Sequence, residues 1–355
     1  MSKARQLADL GNVYDDGALS NRNRIINGAM VFDQRNGGSS VAFTSAAYKL
    51  DRWVGAVGTA TGTTIQRSTT SATGFSNSAL ITIGTGASPV AGAVNRIYQV
   101  IEGYNISDFA WGTASASAIT LSFWVRSSVT GTFSGALYGA STIQSYPFTY
   151  TISAANTFEQ KTIIISGPTT GTWNSTNGAG VYVNFDLGSG STFKTSAGSW
   201  TTGTYIGVTG STNLCETTGA TFYLTGVQLE IGDTSTPFEH EPYSVTLQKC
   251  QRYFQKLGGS NYARLFAGFC ASTTEAPCTY VFPEMRAAPT AGSSGTFAVY
   301  HGAHIVSTAT YLGVSAQTTT SIGVSGNTSG LTVGQGALII TNNDSSARFT
   351  LDAEL

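Results

Sequence analysis

The chain has 355 residues, with 18 Lys plus Arg against 19 Asp plus Glu, and only 10% of its residues are charged, where an average soluble domain carries about 25%. Its 51 Thr, 40 Ser and 42 Gly must keep the surface wet instead. No stretch concentrates Lys or Arg, which excludes charge-driven nucleic-acid binding. No apolar run approaches the roughly 18 residues of a membrane helix, and 41% apolar with 11% aromatic residues excludes disorder by composition.

In chain order, residues 1 to 20 lack an apolar export core and carry Asp9, Asp15 and Asp16. Within them, Ser2 to Leu10 reads as a short amphipathic helix: Ser2 caps it, Ala4, Leu7 and Leu10 share a face, and Gly11 stops it. Alone it is too short to be stable, so it either docks on a partner through Leu7 and Leu10 or frays.

From Arg24 to Pro242 the pattern is β throughout. Ala118 to Val125, Lys161 to Ile165, Gly180 to Leu187 and Thr221 to Leu229 are rich in β-branched and aromatic residues, and polar turns separate them. No crossover helix is visible, so the expected architecture is one antiparallel β-sandwich, a jelly roll with decorated loops, with Trp53 and Trp124 in its core.

Residues 242 to 257 then place Leu247, Cys250, Phe254 and Leu257 at helical spacing between Pro242 and Gly258-Gly259. The spacing predicts one helix, which either lines a shared axis between copies of the chain or plugs the junction between two domains. Residues 261 to 355 return to strands and make a second, smaller β domain. The expected organisation is an N-terminal anchor at 1–21, a jelly roll at 22–242, a connecting helix at 243–259 and a C-terminal β domain at 260–355.

Chemistry is sparse. His240 sits between Glu239 and Glu241, and His301 and His304 flank Gly302-Ala303, but none has a nucleophile motif or metal-ligand spacing beside it. Asp186 and Glu230 are a carboxylate pair that a sandwich could bring together, yet nothing marks either as a general acid. The four cysteines are widely spaced and read as buried thiols. No catalytic residue, metal or cofactor is expected.

The aromatic residues say more. Trp111, Trp173 and Trp200 lie among Gly, Thr and Ser in expected loops. Such a ring either folds back over its own loop or stacks on the apolar face of a sugar while nearby hydroxyls and amides bind the sugar's own.

Four segments carry a resemblance. Asn23-Arg24-Ile25-Ile26-Asn27-Gly28-Ala29-Met30 with Asp33-Gln34-Arg35 and Leu50-Asp51-Arg52-Trp53 resembles the opening of a domain of bacteriophage tail-fibre proteins. Gln99-Val100-Ile101-Glu102-Gly103 through Leu121-Ser122-Phe123-Trp124-Val125 looks like its middle. Val227-Gln228-Leu229-Glu230-Ile231-Gly232 with Thr236-Pro237-Phe238-Glu239 and Cys250-Gln251-Arg252-Tyr253-Phe254 looks like its end. Phe282-Pro283-Glu284-Met285-Arg286-Ala287-Ala288-Pro289 resembles the tail-fibre C-terminal module.

The resemblance implies a virion protein with a carbohydrate-binding-module-like jelly roll, a homotrimer made in the host cytoplasm and placed at a host-contacting appendage. It implies docking of the N-terminal segment on other phage virion proteins, and it supplies no catalytic residue. Only about a dozen residues separate the anchor from the first domain, so the appendage is expected to be short. Three readings follow: a receptor-binding fibre that recognises host-surface glycan through Trp111, Trp173 and Trp200; a non-catalytic decoration or adaptor on neck, baseplate or capsid; and a glycan-degrading tailspike. With few charges and no basic patch, the expected ligand is a neutral sugar.

Overall fold

The computed structural model describes Lys3, residues 21–302, 305–309 and 311–355. The expected anchor residues Leu7 and Leu10, and also His304, lie outside the described residues. The fold is mainly β, and the chain divides into two compact units, residues 1–246 with Leu355 and residues 247–354.

The first unit is a sandwich of two antiparallel sheets. One has six strands in the order Val41–Ala42, Thr64–Ser68, Ser78–Thr82, Thr221–Ile231, Ile119–Ser127 and Glu159–Ile165. The other has seven, in the order Thr201–Thr202, Gln144–Ile152, Gly131–Gly139, Ala179–Asp186, Asn95–Glu102, Trp53–Val57 and Ala47–Leu50. Period-two alternation explains which side each strand buries. Ile119, Leu121, Phe123 and Val125 from one sheet meet Val181, Val183 and Phe185 from the other in a single core. Phe123 and Phe185 join the layers edge to face, with ring centroids 4.9 Å apart. The same alternation corrects one expectation: Trp53 is fully buried, but Trp124 is out of phase with its apolar neighbours and only half-buried.

The motif residues of the early and late segments interlock. Arg24 N donates to Leu229 O at 2.9 Å, and Leu229 N donates to Asn23 Oδ1 at 3.1 Å. The Gln99 amide brackets Ile26, accepting from its N–H and donating to its C=O, both at 2.8 Å. Buried Asn27 holds Phe32 and Asp51 through its side chain, and its carbonyl accepts from Trp53 Nε1 at 3.1 Å. Glu239 accepts from the N–H groups of Asn21 and Asn23, and its own N–H donates to Gln228 Oε1 at 2.8 Å. The bonds of Asn27, Gln99 and Trp53 satisfy polar groups that the packing has removed from water. Arg52, fully buried at φ +69°, donates from Nη2 to Val100 O at 2.6 Å.

The strand Thr221–Ile231 shifts register between Thr225 and Gln228. Gly226 sits there at φ +58°, where a Cβ would lie 2.6 Å from the Phe75 ring. A bulge needs that conformation and that closeness, so the position takes glycine.

The second unit is also two-layered. A three-stranded sheet, Phe254–Gly258, Arg348–Asp352 and Thr290–Ser294, shares a core with a seven-stranded one in the order Ile305–Thr308, Phe297–His301, Gly336–Thr341, Arg264–Phe269, Glu275–Val281, Ser321–Asn327 and Tyr311–Ser315. Phe266 and Phe349 meet across the layers at 4.9 Å. Motif residues are structural here too. Met285 is buried, and Arg286 donates from Nε to Ala353 O and from Nη2 to Glu354 O, both at 2.7 Å.

The helix is shorter than its spacing predicts. It runs Tyr243–Gln251, and Phe254 and Leu257 lie on the strand Phe254–Gly258. That strand pairs over five residues with Arg348–Asp352. The ladder supplies backbone partners that a further helical turn would have to give up, and tertiary pairing overrides a periodicity that both structures satisfy in part. Leu247, Phe254 and Leu257 therefore do not form one helical stripe.

Candidate ligand-binding face

The loop tryptophans, distant in sequence, converge. Trp111 lies 4.7 Å from Trp173 and 5.4 Å from Trp200, and Trp173 lies 5.4 Å from Trp200, with every pair edge to face. Trp111 is buried, and Trp173 and Trp200 are half-buried against the sandwich core. Each indole has one N–H, and each gives it to a backbone carbonyl: Trp111 to Ser117 at 2.9 Å, Trp173 to Thr170 at 3.2 Å, Trp200 to Ser166 at 2.6 Å. The cluster caps one end of the core and ties three loops together. Trp173 and Trp200 each keep part of their surface exposed.

A second aromatic group stands on the outward side of the seven-stranded sheet. Tyr182 pairs with Tyr138 on one neighbouring strand, and Asn184 pairs with Tyr98 on the other. Paired residues share a face, so the inward phase of Val181, Val183 and Phe185 sends Tyr182 and Asn184 outward. Tyr138 and Tyr182 stack at 4.3 Å with an interplanar angle of 12°, and Tyr98 lies 5.8 Å from Tyr182. Arg96 lies over the Tyr98 ring at 4.1 Å, and its Nη1 donates to Tyr138 Oη at 3.0 Å and to Asn184 Oδ1 at 2.8 Å. Burial pushes the Tyr138 hydroxyl up to about 12 against the pull of Arg96, and burial raises Tyr182 as well. These phenols stay neutral and able to donate at any physiological pH.

This face combines three half-buried rings and one cation, while Asn184, fully buried with its Nδ2 on Ala136 O, anchors the cation. Such a surface stacks on a planar or apolar ligand face and hydrogen-bonds its edge. Loop tryptophans are the more conspicuous aromatic residues, and the tyrosines lie within regular strands. The signal was present: Arg96 and Tyr98 alternate with Ile97, Tyr182 alternates with Val181 and Val183, and Tyr138 follows inward Leu137.

The other candidates are held by separate partners. Asp186 accepts from the N–H groups of Gly188 and Ser189, and Glu230 accepts from Gln228 and Thr236. His240 is exposed beside Phe75 and Phe238, and buried His301 contacts Ser307 Oγ at 3.2 Å. The four cysteines are free and buried, and burial pushes Cys215 up to about 12, far from a reactive thiolate. Among the described residues no cluster of three or more His, Cys, Asp or Glu could hold a metal ion, and no helix is long and apolar enough to cross a membrane.

No family model matches the chain, and no curated protein matches it. Among solved structures it is similar to the enzymatically active domain of tailspike protein 4 of bacteriophage CBA120, at 13% identity and a TM-score of 0.31. That match covers 59% of this chain and 22% of the tailspike chain. It is also similar to a CBM4 structure, at 15% identity and a TM-score of 0.28 over 51% of this chain and 95% of that one. A third likeness is to the CBM22-1 xylan-binding domain from Paenibacillus barcinonensis, at 9% identity and a TM-score of 0.27 over 56% and 99% of the two chains.

Proposed function

We propose that the chain is a non-catalytic phage virion appendage whose first unit binds host-surface glycan on the tyrosine face. The observation that carries this reading is the half-buried row Tyr98, Tyr182 and Tyr138 with Arg96. Aromatic rings stacked in neighbouring strands keep their spacing without a ligand, so little ordering entropy opposes binding. The virion role rests on the tail-fibre-like segments, whose residues the fold uses to close both units. In this reading the N-terminal segment docks on other virion proteins, the assembly is a homotrimer, and three weak sites gain avidity of about 100-fold or more.

The test is adsorption. Purified full-length protein is expected to bind host cells and to block phage attachment, and the Tyr98→Ala/Tyr182→Ala variant to do neither while keeping its circular dichroism. Binding to cells that survives in the folded double variant but is lost in Trp173→Ala/Trp200→Ala would move the site to the loop cluster. Protein that binds no host surface would instead be a decoration or adaptor.

A further inference from the structure

The strand Ala179–Asp186 ends on a buried carboxylate that two other segments approach. Lys194 opens the short strand Lys194–Thr195, which pairs in parallel with Gly207–Val208, and Asn213 precedes the turn Leu214–Glu216. Lys194 Nζ lies 2.7 Å from Asn213 Oδ1 and 3.4 Å from Asp186 Oδ2. The Lys194 side chain is 8% exposed and that of Asp186 0%. In this corner a primary amine and a carboxylate thus lie largely out of water beside the half-buried carboxamide of Asn213.

We propose that Lys194 and Asn213 condense into an intramolecular isopeptide bond, with Asp186 carrying the proton. Nζ enters as the ammonium and passes one proton to Asp186 Oδ2. The amine then adds to Asn213 Cγ, forming the Nζ–Cγ bond. Asp186 returns its proton to Nδ2 as the Cγ–Nδ2 bond breaks, and the second Nζ proton passes to the released ammonia as the amide forms. The products are a secondary amide and ammonium, so atoms and charge balance and nothing is oxidised or reduced.

Three features of the corner fit this chemistry better than a passive ion pair. The electrophilic carbon is bonded to the very oxygen that Nζ touches, so the two reacting groups are already neighbours. Asn213 Nδ2 donates to Glu216 Oε1 at 3.0 Å, which places a carboxylate where the leaving nitrogen becomes charged. Asp186 also does not depend on Lys194 for partners. Its Oδ1 accepts from Gly188 N at 3.1 Å and Ser189 N at 2.7 Å, and its Oδ2 accepts from Ser134 Oγ at 3.2 Å. It stays hydrogen-bonded when the lysine charge disappears, whereas most buried carboxylates would be stranded by that loss.

The peptide map of the wild-type protein decides the matter. Trypsin cuts after Lys161, Lys194 and Lys249, with no other Lys or Arg between them. The proposal expects peptides 162–194 and 195–249 to be missing. A single 162–249 species replaces them, lighter than its sequence by one ammonia, about 17 Da, with fragment ions that place the branch at Lys194 and Asn213. Recovery of both peptides at full mass overturns the proposal and leaves a buried ion pair. Lys194→Arg is expected to restore the full intact mass, and a deficit that persists in that variant places the modification elsewhere and also overturns it. Should the variant fail to fold, the wild-type map alone still gives the answer.

Discussion

The two units solve the same packing problem with different means. All five tryptophans of the chain lie in the first unit, and its core is crossed by buried polar brackets from Asn27, Gln99 and Asn184. The second unit relies on a smaller core rich in phenylalanine, with few buried polar side chains, Gln255, His301 and Thr341 among them. Buried hydrogen bonds fix one geometry, while apolar packing tolerates several. A surface that must hold three rings in register belongs on the first kind of scaffold.

The contrast can be broken most forcefully from the inside. Trp53→Ala is expected to destabilise the first unit by about 4 kcal/mol, because it opens a cavity and leaves the Asn27 carbonyl without its donor; chemical denaturation should register this as an early first-unit transition. Phe349→Ala should cost the second unit about 3 kcal/mol. If the two units are independent, calorimetry should then show one transition moving and the other staying, and glycan binding should not change. A single transition that shifts as a whole would show that the units unfold together.

Next in size is Gly226→Val, expected to cost about 2 kcal/mol through the left-handed backbone and the contact with Phe75; hydrogen exchange should loosen along Thr221–Ile231. Tyr182→Ala is expected to weaken glycan binding about tenfold, equivalent to about 1.4 kcal/mol, with a stability change small beside that of Trp53→Ala.

The smallest effect separates the units by pH. The folded-state value of Tyr138 is raised to about 12 from 10.0. Its contribution to stability is therefore complete below pH 10 and lost as pH rises through about 12. Asp344, in the second unit, accepts from Ser346 Oγ and from the N–H groups of Ser346 and Thr296, which hold it down at about 2 from 3.8. Its contribution is present above pH 3.8 and lost as pH falls through about 2. Tyr138→Phe should blunt the alkaline response of the first unit, and Asp344→Asn the acid response of the second, as followed by fluorescence and circular dichroism respectively.

Much of the architecture was legible because period-two alternation is a local signal. Ile119–Ser127 and Ala179–Asp186 fall within two residues of the runs that predict them. The end of the helix was not legible, since Phe254 and Leu257 obey helical spacing and the strand that captures them lies almost a hundred residues away. The meeting of Trp111, Trp173 and Trp200 was hidden for the same reason: loop residues carry no periodicity that points to a distant partner. The tyrosine face sits between these cases. Its phase was written in three strands, but only the pairing register shows that the three phases align.

The last strand of the first sandwich, Thr221–Ile231, occupies the middle of its sheet, between Ser78–Thr82 and Ile119–Ser127. On the ribosome the two earlier strands must wait with open edges until some hundred further residues have been made. No truncated product that stops short of this strand can close the sheet. Synthesis therefore selects for complete chains before any assembly step does, and the interval of waiting is when the protein is most exposed to aggregation with its siblings.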